Sequence, residues 1–159
     1  MNVASAAEMQ AVGARLATAC TEGGWIYLHG ELGAGKTTLV RGFLRGLGYG
    51  GTVKSPTFTL LEPYEINGRM IRHFDLYRLN DPQELEYLGI RDFQDLEAIT
   101  LVEWPERGQG GLPAADVYVY IEYGSGDSRR VGFKAGSERG KTLLARAGWA
   151  SDPPFGDQE

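Results

Sequence analysis

Residues 30–37, with the sequence GELGAGKT, constrain the possible folds of this chain more than any other feature. They match the pattern G-x-x-x-x-G-K-[ST], in which backbone N–H groups of a glycine-rich loop converge on phosphate oxygens. The apolar run 25–29 before this segment favours a buried strand, and residues 37–44 after it favour a helix. A strand, a loop and a helix in this order are what such a phosphate loop requires, so we predict that the chain binds a nucleoside triphosphate.

The residue types in this phosphate loop (residues 30–37) each have an expected role. Its glycines permit backbone angles that a side chain would forbid, and the following helix N-terminus favours anions. Lys36 is expected to reach the β- and γ-phosphates, while the Thr37 hydroxyl is expected to ligate Mg²⁺. The alternative is a glycine-rich turn that contains a lysine by chance.

Composition limits the domain organisation and the location. With 159 residues, 42% of them apolar, we expect one P-loop domain over residues 1–149 and a loose tail over residues 150–159. There is no run of about 18 apolar residues and no signal-peptide pattern, so we expect a cytoplasmic protein without membrane contact. The net charge of −5 argues against nucleic-acid binding by the whole surface. Bases nevertheless concentrate over residues 127–146 and acids over residues 81–106, as solvated faces or as interaction surfaces.

Hydrophobic periodicity predicts the elements around the phosphate loop. Residues 6–21 are predicted to form an amphipathic helix, because apolar residues recur at helical spacing after a capping box. Residues 57–66 and 69–77 are β-rich, and Asn67-Gly68 between them is preferred in type I′ hairpin turns. A hairpin here predicts a mixed parallel and antiparallel sheet, because small kinases of this fold class have a helical crossover at this point.

The second half of the chain completes the predicted fold. The remaining predicted elements are a helix from Asp81 to Gly89, a buried strand over residues 98–103, a hairpin from residues 117–123 and 129–134, and a last helix from a Ser137 cap to Ala147. The fold class is therefore α/β: a three-layer P-loop NTPase fold with a mixed parallel and antiparallel central sheet flanked by helices.

Two acids outside the phosphate loop are the candidate catalytic residues. Glu103 ends an apolar run, and a phosphate loop needs an acid at a neighbouring strand end because Mg²⁺ prefers hard oxygen ligands. Glu103 is therefore a candidate magnesium ligand, directly or through water, and the alternative is an exposed strand-end acid. Asp75 shares a strand face with His73 and Tyr77, and it is a candidate base or a partner of the metal site. Alternatively, this row of side chains only anchors the strand end by hydrogen bonds.

A further candidate is the switch loop Ser55, Pro56 and Thr57, which follows the phosphate-loop helix. Loops at this place in the fold class respond to the bound nucleotide, and Thr57 is a candidate sensor of the γ-phosphate or magnesium. The alternative is that Pro56 only sets an extended entry into the hairpin.

The nucleotide and the rate of turnover are also constrained by sequence. The chain lacks the N-K-x-D element that reads guanine, which favours ATP over GTP. Trp104 stands where many ATPases carry a catalytic glutamate beside the metal-binding acid, so we expect slow turnover by the isolated chain. A partner protein could complete such a site, as arginine fingers do in other phosphoryl-transfer systems.

Several segments, taken in order, resemble the bacterial TsaE family of ATPases in tRNA threonylcarbamoyladenosine biosynthesis. The resemblance extends from residue 6 to about residue 147, and its specificity lies in the order and spacing of the motifs. The segments that carry it are residues 33–38 (GAGKTT), 55–58 (SPTF), 73–78 (HFDLYR), 84–90 (ELEYLGI) and 101–106 (LVEWPE).

The resemblance implies an ATPase that acts with TsaB and TsaD proteins and supports repeated cycles of modification of the adenosine next to the tRNA anticodon. It implies that Thr37 and Glu103 ligate Mg²⁺, that Asp75 is required for hydrolysis and that Trp104 lies beside the site. The residues that it implies for ATP binding are Leu32, Gly33, Ala34, Gly35, Lys36, Thr37 and Thr38.

The contacts beyond the phosphates are less defined by the resemblance. Arg129 or Arg130 is a candidate for the adenine contact. The net negative charge suggests that tRNA is bound mainly through the partner proteins, with residues 127–146 as the plausible surface for direct contact with tRNA.

Two other functions are compatible with a phosphate loop. A small-molecule kinase would share the chain's size and loop, but the predicted hairpin and the scarcity of arginines over residues 79–128 argue against it. A nucleotide-gated binding module would switch residues 55–58 on ATP without useful turnover. Mutation of Asp75 or Glu103 would separate such a module from an ATPase.

Overall fold

The computed structural model describes residues 1–56, 59–93, 95 and 97–151. Thr57 of the predicted switch loop and residues 152–159 of the predicted tail lie outside these ranges. The strands in the described part are β1 (Asn2–Val3), β2 (Gly24–Gly30), β3 (Leu61–Ile66), β4 (Arg69–Asp75), β5 (Ile99–Glu103), β6 (Val117–Tyr123) and β7 (Arg129–Ala135). The helices are α1 (Ala6–Ala19), α2 (Lys36–Gly46), α3 (Glu84–Tyr87) and α4 (Glu138–Ala147).

All of these strands form one mixed sheet in the order β1-β7-β6-β2-β5-β4-β3. The four central strands β6, β2, β5 and β4 run parallel, and β3 and β7 pair antiparallel to the outer members of that group. The two-residue strand β1 extends the sheet by pairing with β7. The sequence did not predict β1. The predicted mixed sheet is therefore confirmed.

The sheet separates two apolar cores, because side chains alternate across its faces. Ile26 and Leu28 of β2 pack with α1, α2 and α4 on one face. Tyr27 packs on the other face with Phe74 and a group of residues around α3. Helices thus cover both faces of the sheet, as the three-layer prediction requires.

Helices α1 and α2 approach each other at glycines. A Cβ at Gly13 would lie 2.0 Å from the Leu39 carbonyl oxygen, and one at Gly42 would lie 2.1 Å from the Gln10 carbonyl oxygen. Because these neighbours are backbone atoms, they cannot rotate away as a side chain would. The close contact fixes α2, and with it the phosphate loop, against α1.

The first hairpin forms where the sequence predicts it, but its strands are shorter. Asn67 and Gly68 have positive φ values of 53° and 79°, as a type I′ turn requires. Strand β3 begins at Leu61, since the Leu60 N–H donates to the Pro56 carbonyl and turns the chain before the strand. Strand β4 ends at Asp75 rather than at residue 77.

Helix α3 is a single turn, although the sequence predicts a helix from Asp81 to Gly89. Asp81 Oδ1 accepts a hydrogen bond from the Gln83 N–H at 2.9 Å, which closes a local turn instead of capping a long helix. The N–H groups of Glu84 and Leu85 then donate to carbonyls three residues back, in 3₁₀-type bonds. Within the described residues, no helix is both long and apolar enough to cross a membrane.

Candidate nucleotide-binding site

The predicted site residues meet at the carboxyl ends of three parallel strands. In the sheet register, Glu103 at the end of β5 lies opposite Leu28 of β2 on one side and Asp75 of β4 on the other. The phosphate loop begins at the end of β2, so it emerges beside both acids. Ligands of open α/β sheets bind at this edge, outside the carboxyl ends of the strands.

A cleft of about 420 Å³ opens at this edge of the sheet. Ala34 and Pro56 are buried rather than exposed to the cleft. The predicted site residues that line it are Leu32, Gly33, Gly35, Lys36, Thr37, Thr38, Ser55, Asp75 and Glu103. Larger clefts of about 530 and 720 Å³ lie at the opposite ends of the strands, around Asp95 and Arg139, away from these residues.

The phosphate loop adopts the backbone conformation that its glycines permit. Gly33 and Gly35 have φ values of 79° and 119°, which L-residues with a side chain rarely adopt. A Cβ at Gly35 would also lie 3.1 Å from Cε of Met9, since α1 passes beneath the loop. The sequence of the loop and its packing against α1 therefore select the same shape.

Lys36 is folded back over the phosphate loop and is only 4% exposed. Its ammonium group donates to the Gly30 carbonyl and, at 2.9 Å, to the Glu31 carbonyl. Burial lowers the pKa of Lys36 below its ordinary value, and the carboxylate of Glu103 is the largest influence that opposes this shift. The arrival of negatively charged phosphates would stabilise the charged ammonium group further.

Thr37 and Glu103, predicted as one metal site, are directly hydrogen-bonded. Thr37 Oγ1 donates to both oxygens of the Glu103 carboxylate, at 2.9 and 3.0 Å. Glu103 is 2% exposed, so it is not the exposed strand-end acid of the alternative interpretation. The first turn of α2 and the end of β5 are therefore joined at the floor of the cleft.

His73 continues this hydrogen-bonded series behind Glu103. Its Nε2 lies 2.6 Å from Glu103 Oε2, and its ring is fully buried. Its other nitrogen, Nδ1, is buried without a hydrogen-bond partner among the described residues. Because a carboxylate accepts hydrogen bonds, this arrangement assigns the proton to Nε2. The sequence placed His73 near Asp75, because the two polar side chains share a strand face. The bond from His73 to Glu103 could not be predicted in this way, because it depends on the register between β4 and β5.

The oxygen donors at the floor of the cleft fit a magnesium ion. A hydroxyl and a carboxylate are hard ligands, and a buried carboxylate favours a positive charge beside it. The described residues contain no cluster of three or more His, Cys, Asp and Glu side chains arranged as a metal site. The hydroxyl of Thr37 and the carboxylate of Glu103 are the types of group that could hold Mg²⁺ where phosphates and water supply its other ligands.

Asp75 lies beside Glu103 with one oxygen occupied by the backbone. Its Oδ1 accepts a hydrogen bond from the Tyr77 N–H at 3.0 Å, which turns the chain after β4. The residue is 6% exposed and lines the cleft. Asp75 is thus held rigidly at the cleft wall by the strand end itself.

Aromatic side chains form the wall of the cleft opposite the phosphate loop. Trp104 has a φ of 57°, a left-handed conformation at the end of β5 that turns its ring toward the loop. Lys36 Nζ lies 4.3 Å from the centre of the Trp104 ring, and the Tyr77 ring lies 5.0 Å from it. A cation this close to an aromatic face is attracted by the ring quadrupole. Trp104 therefore lies beside the site, where the resemblance placed it.

A third acid lies at this edge of the sheet, at the entrance to the phosphate loop. Glu106 Oε2 is 3.2 Å from His29 Nδ1, and the His29 ring stacks on Tyr120. Burial is the largest influence on the pKa of Glu106 and would raise it, but the hydrogen bond with His29, a backbone hydrogen bond and the charges of His29 and Lys36 together outweigh burial, so the pKa is lowered. This contact ties the turn after β5 to the end of β2.

Two residues outside the predicted site contact the phosphate loop from the β6–β7 hairpin. The Tyr123 hydroxyl donates to the Leu32 carbonyl, and Arg129 Nε donates to the Ala34 carbonyl at 3.1 Å. From the sequence, Arg129 was named as a candidate for the adenine contact and within the basic stretch 127–146, but not as a contact of the phosphate loop, and Tyr123 was not singled out. Neither residue belongs to a recognisable sequence motif, because its contact with the phosphate loop arises only when the folded hairpin lies against the loop.

The basic stretch over residues 127–146 is partly used within the chain. Arg129 contacts the phosphate loop, as described above. The side chains of three further basic residues pair with acids: Arg130 with Glu122, Lys141 with Glu138 and Arg146 with Glu22. Such exposed pairs contribute little to stability and remain available to solvent.

The chain is similar to proteins of one named family over most of its length. The model of the family described as "Threonylcarbamoyl adenosine biosynthesis protein TsaE" matches residues 3–131. A Haemophilus influenzae protein named tRNA threonylcarbamoyladenosine biosynthesis protein TsaE is 55% identical over 120 residues, which are 76% of this chain and 75% of that protein. A Bacillus subtilis protein of the same name is 35% identical over 136 residues, covering 86% and 85% of the two chains.

A solved structure has the same fold. The crystal structure of YdiB from Bacillus subtilis superposes with a TM-score of 0.77 and 27% sequence identity. The superposition covers 93% of this chain and 92% of that chain. The agreement therefore extends beyond the phosphate loop to the whole sheet and its helices.

Proposed function

This chain belongs to the TsaE family of threonylcarbamoyl adenosine biosynthesis proteins, and from this membership we propose that it is a magnesium-dependent ATPase of tRNA modification. Membership and fold place it among the nucleotide-binding P-loop proteins of threonylcarbamoyladenosine biosynthesis. Hydrolysis, the metal and the identity of the partners are the proposed parts.

The hydrogen bonds between Thr37 and Glu103 are the observation that carries this proposal. They bring the hydroxyl after the loop lysine to within 2.9 Å of a strand-end carboxylate, next to the phosphate loop. A hydroxyl and an acid in these two positions are the protein ligands of magnesium in P-loop NTPases. A glycine-rich turn with a chance lysine gives no reason for such a pairing.

In the proposed reaction, the phosphate loop holds the triphosphate and Lys36 turns from the Gly30 and Glu31 carbonyls to the phosphates. Bound magnesium, held by Thr37 and Glu103, would offset charge on the phosphate oxygens. Asp75, fixed by the Tyr77 N–H, accepts a hydrogen bond from the attacking water and orients it. His73 holds the Glu103 carboxylate in position from behind.

We further propose that turnover is slow until a partner protein completes the site. Trp104, rather than a second acid, follows Glu103 and faces Lys36. The partners proposed are the TsaB and TsaD proteins, and tRNA is met mainly through them, in the cytoplasm. Residues 127–146 are the stretch that we propose for any direct contact with tRNA. One ATPase domain over residues 1–149 is part of the same proposal.

The decisive experiment measures ATP binding, ATP turnover and multiple-turnover tRNA modification, with and without TsaB and TsaD. We expect Lys36→Ala to abolish nucleotide binding, because it removes the cation that meets the phosphates. We expect Asp75→Ala to bind ATP but to lose about a hundredfold or more in turnover, the usual contribution of a positioned acid–base group. Asp92→Ala, which alters an exposed acid, is the matched control and should behave as the wild-type protein does.

The alternative functions give different results in the same assays. Transfer of the γ-phosphate to a metabolite, with hydrolysis unaffected by TsaB and TsaD, would identify a kinase. Unchanged turnover in both Asp75→Ala and Glu103→Ala would show that neither acid has the proposed role. ATP binding by the wild-type protein without turnover, alone and with TsaB and TsaD, would identify a nucleotide-gated binding module.

A further inference from the structure

We propose that Tyr123 and Arg129 are positioning residues for nucleotide binding, because they hold two carbonyl groups of the phosphate loop and so aim its N–H groups at the phosphates. Both residues flank the turn of the β6–β7 hairpin, outside the phosphate loop itself. The inference rests on the proposed nucleotide binding by residues 30–37 and adds a part of the chain that the phosphate-loop motif does not include.

The contacts are directed at two alternate residues of the loop. The Tyr123 hydroxyl donates to the Leu32 carbonyl, and Arg129 Nε donates to the Ala34 carbonyl at 3.1 Å. A Cβ at Gly33, between these two residues, would lie 2.9 Å from the Tyr123 hydroxyl oxygen. The loop therefore rests directly against this hairpin.

Peptide geometry converts these contacts into an orientation of the N–H groups. In a trans peptide, the carbonyl of one residue and the N–H of the next point in opposite directions across a rigid plane. Holding the Leu32 carbonyl toward Tyr123 turns the Gly33 N–H away from the hairpin, and holding the Ala34 carbonyl toward Arg129 does the same for the Gly35 N–H. Gly33 and Gly35 both line the cleft.

The loop needs such support because glycine loses more conformational freedom on ordering than any other residue. A loop that is ordered before the ligand arrives binds more tightly, since less entropy is lost on binding. The fixed carbonyls thus provide preorganisation that the glycine-rich sequence alone would lack.

The two positioning residues are themselves held in place. The Arg129 guanidinium carbon lies 4.4 Å from the centre of the Tyr123 ring. Arg129 Nη1 donates to the carbonyls of Asp127 and Ser128, at 3.0 and 2.9 Å. The guanidinium is thereby oriented by its own hairpin turn before it reaches the loop.

The test compares the binding of ATP with that of inorganic tripolyphosphate, both with Mg²⁺, by titration calorimetry. We expect Tyr123→Phe, which removes only the hydroxyl, to weaken both ligands by the same factor, about fivefold, or about 1 kcal/mol. Tyr27→Phe is the matched control, because the Tyr27 hydroxyl donates to the Pro113 carbonyl, far from the loop. That variant should lose thermal stability and keep both affinities.

A second pair of variants separates the hydrogen bond from the charge. We expect Arg129→Ala to weaken both ligands about tenfold, because it also removes the cation that packs on Tyr123. Arg130→Ala removes the same charge from the next residue, which pairs with Glu122, and should change both affinities less than twofold.

Each other result contradicts a particular part of the argument. Wild-type affinity in both Tyr123→Phe and Arg129→Ala would overturn the positioning role and leave nucleotide binding intact. A loss for ATP without a loss for tripolyphosphate would assign these residues to the nucleoside instead. Equal losses in Arg129→Ala and Arg130→Ala would mean that only charge acts. If the wild-type protein binds neither ligand, the proposed function fails and this inference fails with it.

Discussion

Two acids, Glu103 and Asp116, lie at opposite ends of the parallel strands and differ in what they bond. Asp116, just before β6, accepts the Trp25 N–H at 2.8 Å and the Ser137 hydroxyl at 2.6 Å. These partners begin β2 and cap α4, so Asp116 joins the starts of three elements. Glu103 instead bonds the side chains of Thr37 and His73. From this difference we predict that the acid bonded to backbone and cap groups supports the fold, whereas the acid bonded to the phosphate-loop hydroxyl takes part in the proposed chemistry.

The strongest challenge to this comparison is Glu103→Gln. The amide preserves the size of the side chain but removes its charge, and it cannot accept at both of its terminal atoms. We expect ATP turnover to fall by about a hundredfold or more while nucleotide binding is largely kept. A steady-state assay, together with nucleotide titration, checks both expectations.

The comparison would fail if Glu103→Gln mainly lowered the stability of the fold. The free energy of unfolding in urea, measured without nucleotide, should therefore change less in this variant than its turnover barrier does. A variant that unfolds easily but hydrolyses ATP normally per folded molecule would place Glu103 in the same class as Asp116.

The matched change at the other end of the strands is Asp116→Asn. It leaves one acceptor where two are needed, so we expect a loss of about 1–3 kcal/mol in the free energy of unfolding. Turnover per folded molecule should stay at the wild-type value, because Asp116 lies at the opposite edge from the phosphate loop. Reduced turnover with unchanged stability would contradict the comparison, because an acid that bonds backbone and cap groups far from the phosphate loop would then affect turnover.

Glu106 provides the smallest test, because it lies at the same edge as Glu103 but is half exposed and pairs with His29. Its pKa is lowered below 4.5 in the folded protein, so its stabilising effect is present above pH 4.5 and is lost as the pH falls further. We expect Glu106→Gln to cost less than about 1 kcal/mol at neutral pH, since the pair is partly solvated.

The pH dependence is the measurement that isolates this pair. The difference in free energy of unfolding between wild-type protein and Glu106→Gln should shrink as the pH is lowered below 4.5. A difference that is constant across that range would mean that Glu106 acts by packing and not by its charge.

Much of the fold could be predicted because its signals are local. The glycines of the phosphate loop, the Asn67-Gly68 turn and the caps at Ser5 and Ser137 each act within a few residues of the chain. Helix α3 was overestimated because the cap and proline signals at its start are also those of a turn. Strand β1 was missed because two residues have no periodicity.

The site could be predicted in part for the same reason. Motif spacing identified four candidate residues, Lys36, Thr37, Asp75 and Glu103. All four line one cleft in the structure. Their assigned roles stay proposals. The bond from His73 to Glu103 could not be foreseen, since strand periodicity gives a face but not the neighbour on it. The contacts of Tyr123 and Arg129 join residues that are more than ninety positions from the loop.

By itself, the amino-acid sequence determined that a phosphate loop exists, which strand and helix flank it, and which family the chain resembles. Those properties follow from backbone conformational preferences and from residue order, which act at short range. Only the tertiary structure decided which side chains face each other across the sheet: Glu103 with Thr37 and His73, and the loop carbonyls with Tyr123 and Arg129. The reason is that strand order and register, set by burial of both sheet faces, are collective properties of the whole chain.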